Sequence, residues 1–259
     1  MKVVLFCGGF GMRLRDYSDQ IPKPLVDVGS RPILWHLMKY YAHYGHKDFI
    51  LCLGHGAAAI KNYFLKYDEC TSNDFIYSEG GKKLELLSRD IDDWKITFVD
   101  TGLKSTIGER LRQVRHHLEG EPMFLANYAD GLSDLDLGAY VESFQKRGKL
   151  ACFLSVPAPH TFHIVHSDAE EHVLRLEHVA RSPVRINGGF FALRSEIFEY
   201  MNPGEELVIE PFSRLIERRE LLAVAYDGFW QNMDTFKDKI QLDDMVTQGH
   251  APWQVWKRP

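Results

Sequence analysis

Short apolar runs alternate with stretches of helical spacing along the first half of the chain. Lys2 to Cys7 is short, continuous, apolar and partly β-branched, the pattern of a strand buried on both faces. Gly8-Gly9-Phe10-Gly11 ends it as a loop. Pro32 to Tyr44 carries Ile33, Leu37, Tyr40 and Tyr41 at helical spacing, with Pro32 suited to a first turn. Phe49 to Leu53 predicts a second buried strand, closed by Gly54, and Ala57 to Tyr67 a second helix. Ile96 to Val99 predicts a third strand, Arg110 to Leu118 a helix, and Met123 to Ala126 a strand running toward Asp130-Gly131. This alternation predicts an α/β fold: a Rossmann-like, mainly parallel central sheet with helices on both faces.

The second half is more mixed and predicts a small β-rich portion. Leu150 to Val156 and Phe190 to Leu193 read as strands, and His163 to Val165 with Val173 to Leu176 flank an acidic turn as a hairpin would. Helices are expected near Glu196 to Met201, Glu210 to Arg218 and Thr235 to Gln248. No repeat or low-complexity linker divides the chain, so residues 1–259 are expected to form one domain. Residues 1–135 make its nucleotide-binding half, and 136–259 its substrate half and tail.

Composition leaves this picture in place. Hydrophobic residues make up 45 % of 259 and charged residues 26 %, which excludes a disordered or fibrous chain. A net charge of −5 gives no reason to expect a nucleic-acid or membrane-surface partner. The apolar start meets Gly8-Gly9 too early for a signal-peptide core, and no run is long enough to span a bilayer. A cytoplasmic protein is expected, with Cys7, Cys52, Cys70 and Cys152 reduced, because no two of them form a CxxC pair.

Three groups of residues carry candidate chemistry. Gly8-Gly9-Phe10-Gly11-Met12-Arg13 follows the first strand, where glycines let backbone N–H groups approach a phosphate and Arg13 adds a bidentate donor. It is neither G-x-G-x-x-G nor a P-loop, and a plain tight turn explains it equally well. Ile21-Pro22-Lys23-Pro24-Leu25 stiffens the backbone around one lysine, a fixed cation for a phosphate. Asp130 falls where open α/β sheets bind ligands, and Asp234 is a candidate partner; two such carboxylates suit Mg²⁺. A single Asp near a turn is more often a cap.

Taken together, Gly8-Gly9-x-Gly11-x-Arg13-Leu14 and Pro22-Lys23-Pro24 resemble the signature of the sugar-1-phosphate nucleotidyltransferases. Arg31-Pro32-Ile33-Leu34-Trp35-His36, Val99-Asp100-Thr101-Gly102, Asp134-Leu135-Asp136, Ile186-Asn187-Gly188-Gly189, Gly228-Phe229-Trp230-Gln231 and Ala251-Pro252-Trp253 extend the resemblance over the whole chain. Within that family they are most similar to the glucose-1-phosphate cytidylyltransferases. The resemblance implies attack by a sugar 1-phosphate on the α-phosphorus of CTP, with pyrophosphate leaving. It implies that the backbone from Phe6 through Cys7, Gly8, Gly9, Phe10, Gly11 and Met12, with Arg13, holds the triphosphate. It makes Lys23 and Arg13 the catalytic cations. It puts Thr101, Ser105, Gly108, Arg110 and Ala129 at the nucleotide, and Mg²⁺ on Asp130 and Asp234. It lines the sugar side with Asn187, Gly188 and Glu210, and it implies a homo-oligomer.

Departures from the family pattern gather on the sugar-phosphate side. His178 stands in place of a lysine that meets the sugar phosphate, with Arg181 and Arg185 nearby as substitutes. His163 replaces a glycine, within Pro159-His160-Thr161-Phe162-His163, and Ala129 replaces the glycine before Asp130. A different phosphorylated or phosphonate acceptor is therefore an alternative, and a non-catalytic nucleotide-binding relative a second. His160, His163, His166, His172 and His178 lack the spacing of a transition-metal site. A Rossmann dehydrogenase would need G-x-G-x-x-G and an acidic residue closing the second strand, where Leu53-Gly54-His55 stands instead.

Overall fold

The apolar N-terminal run lies at the parallel centre of the main sheet. The computed structural model describes residues 1–9, 21–158 and 162–257. Its strands are β1 (Lys2–Phe6), β2 (Asp27–Val28), β3 (Arg31–Pro32), β4 (Asp48–Leu53), β5 (Phe75–Ser78), β6 (Lys83–Leu86), β7 (Lys95–Asp100) and β8 (Met123–Tyr128). They continue as β9 (Gly131–Ser133), β10 (Ala151–Pro157), β11 (His163–Ser167), β12 (Val173–His178), β13 (Arg185–Asn187), β14 (Phe191–Arg194), β15 (Leu221–Ala225) and β16 (Trp230–Asn232). The α-helices are α1 (Ile33–His43), α2 (Ala57–Leu65), α3 (Glu69–Ser72), α4 (Ile107–Gln113), α5 (Leu137–Arg147), α6 (Glu210–Glu217) and α7 (Phe236–Thr247).

The sheet is mixed but mostly parallel. β7, β4, β1 and β8 run parallel side by side; β14 joins β8 antiparallel; β10 pairs with β14 and β13, and β15 pairs parallel to β10. Side chains alternate across it. Val3 and Leu5 join one core with Leu37, Tyr41, Tyr140 and Phe144, while Val4 and Phe6 join a second with Leu111, Val114, Phe212 and Leu215. Helices α1 and α5 thus cover one face, and α4 and α6 the other, so a strand apolar at every position is buried twice.

Several expectations are refined by packing. Helix α1 is buried at nine of its eleven residues rather than on one face. The tail residues Trp253 and Trp256 pack on its outer side, where an amphipathic helix would meet water. The helix expected over Arg110 to Leu118 begins earlier, at Ile107, where Thr106 caps it, and gives way at Val114 to a 3₁₀ turn. The helix expected near Glu196 to Met201 is a 3₁₀ helix, Ser195–Tyr200. The hairpin around the acidic turn is present, with His163 opposite His178. The hairpin β5–β6 has no counterpart in the sequence reading, because its strands are only four residues long and β5 lacks an alternation. None of the four cysteines is bridged. Among the described residues no helix is long and apolar enough to cross a membrane.

The tail also fixes a buried histidine. His36 is 3 % exposed, and Trp253 Nε1 donates to its Nδ1 (3.2 Å). An indole nitrogen only donates, so Nδ1 accepts, and Nε2 donates to the Val28 carbonyl (2.9 Å). Burial pushes the His36 pKa down from 6.5 to about 4. The neutral ring therefore stabilises the fold fully above pH 6.5, and that stability is lost as pH falls from 6.5 to about 4. The loss amounts to roughly 3 kcal/mol. Urea melts across this window should show a flatter pH slope for His36→Gln than for the native chain. Parallel slopes would mean that His36 does not carry the effect.

Candidate active site

Because β1, β4, β7 and β8 are parallel, their carboxyl ends share one edge of the sheet. Gly8, Gly54, Thr101 and Asp130 follow those ends, at the edge where open parallel sheets bind ligands.

A two-stranded ribbon brings the two acids together. β9 pairs antiparallel with β16, with Gly131 opposite Asn232, and Met233 N donates to the Asp130 carbonyl (2.9 Å). Asp130, just before one strand, therefore faces Asp234, just after the other. Thr235 and Asp238 form a capping box at the start of α7, and Asp238 also accepts from Asp234 N (3.0 Å). Asn232 Nδ2 donates to Asp234 Oδ2 (2.6 Å), which leaves Oδ1 for a cation. Lys23 supplies it: Nζ lies 2.5 Å from Asp130 Oδ2 and 2.6 Å from Asp234 Oδ1.

Lys23 is held by its own turn. Pro22 precedes a 3₁₀ turn, Lys23–Leu25, closed by Leu25 N donating to the Pro22 carbonyl (2.7 Å). Pro22 lies against Gly56, whose left-handed φ of +70° and missing Cβ allow the contact. Burial alone would lower the Lys23 pKa, but the charges and hydrogen bonds of Asp130 and Asp234 outweigh it and raise the pKa above its usual value. The ammonium is thus a permanent cation at neutral pH.

Behind the glycine loop, Arg110 ties three strand ends together. It is 3 % exposed and donates to the Leu53 carbonyl (3.0 Å), Thr101 Oγ1 (2.7 Å) and the Gly8 carbonyl (3.1 Å). Its guanidinium fills the space a side chain on Gly8 would need. Cys7 N donates to the Cys52 carbonyl (3.0 Å), so the loop leaves the sheet at Gly8. Ser105 donates to the Thr101 carbonyl, and Gly108 lets residues 205–207 pack against the first turn of α4. Phe6 (5 %) and Ala129 (3 %) are buried, the Ala129 methyl within the core. Gly9 stands beyond the strand end in open space.

The substrate-side residues divide. Asn187 and Gly188 form a bulge between β13 and β14: Asn187 Oδ1 accepts from Gly189 N (2.9 Å), and its Nδ2 donates to Tyr128 Oη (3.3 Å). That places them beside the end of β8, two residues from Asp130. Trp230 Nε1 donates to the Gly188 carbonyl (2.8 Å) and links this bulge to the ribbon of the acids. Arg185 is committed elsewhere, to Asp227 (2.8 Å), the Ser155 carbonyl (2.6 Å) and the Tyr226 carbonyl (2.8 Å). Arg181 is exposed on a 3₁₀ turn, and the His178 and His163 rings meet edge to face at 5.2 Å. Glu210 opens α6 and accepts from Glu206 N (3.0 Å), within its own loop. Asp134 and Asp136 are structural: Asp134 accepts from Phe229 N (2.9 Å) and from Tyr226 Oη, and Asp136 caps α5.

Phe10, Gly11, Met12 and Arg13 lie outside the described residues, as do Pro159, His160 and Thr161. Asn232 and Trp230 escaped the sequence reading as site residues; their signal was the Gly228-Phe229-Trp230-Gln231 motif running into Asp234. The structure gathers Asp168, Glu170 and His172 in the acidic turn, although the histidine spacing gave no hint of it. These are surface groups, and Asp168 already accepts from the Glu170 and His172 N–H groups at 3.1 and 2.8 Å.

Residues 2–248 match the family model described as nucleotidyl transferase. The glucose-1-phosphate cytidylyltransferase of Salmonella typhimurium is 36 % identical over 258 residues, covering 99 % of this chain and 100 % of that protein. The probable glucose-1-phosphate cytidylyltransferase of Bacillus subtilis is 33 % identical over the same shares. Among solved structures, a putative glucose-1-phosphate thymidylyltransferase from Bacillus anthracis superposes with a TM-score of 0.70 at 18 % identity, covering 95 % of both chains. HddC from Yersinia pseudotuberculosis gives 0.68 at 19 % identity, covering 95 % of this chain and 99 % of that one. At such identities the superpositions show the shared fold alone.

Proposed function

Since the chain belongs to the nucleotidyl transferase family, we propose that it couples CTP to glucose 1-phosphate, forming CDP-glucose and pyrophosphate. The observation that carries this reading is Lys23 held between Asp130 and Asp234 at the carboxyl edge of the sheet. Full-length relatives named for that reaction support the choice of substrates.

In the proposed step a phosphate oxygen of the sugar phosphate bonds to the α-phosphorus, and the bond from that phosphorus to the pyrophosphate oxygen breaks. No covalent intermediate on the protein is required, so the residues act by position and charge. The N–H groups at Gly8 and Gly9 face the triphosphate, and Arg13 adds a second donor. Lys23 neutralises charge gathering at the α-phosphate. Asn187 and Gly188 orient the acceptor beside Tyr128, and Arg181 and His178 face its phosphate.

The acid pair fits Mg²⁺. Its oxygens already converge on one cationic centre, and hard oxygen donors suit that ion. Bound there, Mg²⁺ would supply further neutralisation of the phosphate charge.

The test is pyrophosphate release from CTP with Mg²⁺ and glucose 1-phosphate. Release should be robust with this acceptor and weak with UTP, ATP, or galactose 1-phosphate. Binding of CTP without release would move the acceptor to another phosphorylated compound.

A further inference from the structure

Tyr128 ends β8 at the carboxyl edge of the sheet, two residues before Asp130. The five residues before it in the strand are buried, and Tyr128 alone is not. Its ring packs against Phe6 (centroids 6.4 Å apart) and, edge to face, against Phe191 (5.4 Å). Gly189, at a left-handed φ of +71°, makes room for it: a Cβ there would lie 3.1 Å from Tyr128 Cδ2. These contacts take up the ring carbons and leave the hydroxyl end toward the cleft.

The direction of the hydroxyl proton follows from the amide beside it. Asn187 Oδ1 accepts from Gly189 N (2.9 Å), so the group that reaches Tyr128 Oη at 3.3 Å is the Nδ2 donor. Tyr128 is the acceptor in that bond. Its own O–H proton has no acceptor among the described residues. Nor is this bond what holds the bulge. Gly188 N donates to the Leu154 carbonyl (2.7 Å), Leu154 N to the Gly189 carbonyl (2.9 Å) and Phe190 N to Asn127 Oδ1 (3.0 Å). Trp230 Nε1 adds its bond to the Gly188 carbonyl. A phenylalanine would fill the same space, so the hydroxyl is a donor that packing does not require.

On the basis of the transfer to glucose 1-phosphate above, we propose that Tyr128 donates this proton to a ring hydroxyl of the acceptor sugar. Asn187 positions the proton by occupying the other side of the phenol oxygen. A hydroxyl suits the pair better than the phosphate does, because phenol and amide are both neutral and an anion is better served by a cation such as Lys23. The contact makes Tyr128 a specificity residue: an analogue without that hydroxyl leaves the phenol unpaired.

The test measures pyrophosphate release from CTP with Mg²⁺, comparing glucose 1-phosphate with its 2-, 3-, 4- and 6-deoxy analogues. The ratio of kcat/KM between glucose 1-phosphate and each analogue reports what one hydroxyl contributes. Tyr128→Phe should lower kcat/KM for glucose 1-phosphate about tenfold and shrink one of the four ratios by the same factor, with the other three and the KM for CTP held within about twofold. Asn187→Asp should shrink the same ratio, since a carboxylate accepts the phenol proton and turns it away from the sugar. A purely structural role would change the rate with every acceptor alike. Four unmoved ratios in Tyr128→Phe, or several shrinking together, overturn the proposal, and an unmoved ratio in Asn187→Asp overturns the positioning role. No release by the native chain from glucose 1-phosphate would fell the reaction, and this contact with it; release by the native chain with unmoved ratios in Tyr128→Phe fells the contact alone.

Discussion

Lys23→Ala should lower the rate of pyrophosphate release about 10³-fold, equivalent to roughly 4 kcal/mol of transition-state stabilisation. The size follows from the geometry. The side chain is only 13 % exposed, and its ammonium is a single fixed charge at the carboxyl edge of the sheet. Alanine removes that charge without disturbing the Pro22 turn, whose closing hydrogen bonds are made by backbone atoms. The same substitution leaves Asp130 and Asp234 facing each other without a counter-charge. The variant should therefore melt earlier than the native chain in the absence of divalent ions, and gain more in Tm from added Mg²⁺. Lys23→Arg should restore the charge and most of the melting temperature, but not the rate, because a planar fork does not replace a point charge. Retained turnover in Lys23→Ala, or an equal Mg²⁺ gain in both chains, would remove Lys23 from the chemistry.

Much of the framework behind that prediction is legible in the sequence. The buried strands announce themselves because β1, β4 and β8 are covered on both faces and are apolar at most positions. Lys23 is legible because two prolines flank it, and Asp130 because a parallel strand leads into it. The pairing of Asp130 with Asp234 is another matter. It depends on a three-residue ribbon, β9–β16, too short to show a period. The residues offer Asp234 as a candidate partner and the family resemblance supports it; periodicity does neither. The commitment of Arg185 to Asp227 and to two carbonyls is equally invisible, since no local pattern links residues that meet through β10 and β15. The kind of helix at Ser195–Tyr200 is hidden for a related reason: helical spacing over six residues does not distinguish three residues per turn from 3.6.

Gly8→Ala tests the other support of the site, and the structure supplies its own control one residue later. A Cβ on Gly8 would come within 2.1 Å of Arg110 Nη1 and 2.3 Å of its Cζ, whereas a Cβ on Gly9 meets nothing within 4 Å. Arg110 is long, but it has no room to give way, because its donors are held by the Leu53 and Gly8 carbonyls and by Thr101 Oγ1. Moving it strands a buried guanidinium and frees three strand ends from one another. The expected loss is about 2–4 kcal/mol of stability, with CTP affinity falling at least tenfold as the loop shifts. Gly9→Ala should change stability by less than about 0.5 kcal/mol. The double variant Gly8→Ala, Arg110→Ala separates collision from lost bonding. If the clash dominates, the second substitution adds far less than it costs alone, and urea melts show a coupling of more than about 1 kcal/mol. Additive losses would mean that Gly8 and Arg110 act independently, and that the glycine is required by the ligand rather than by the arginine beneath it.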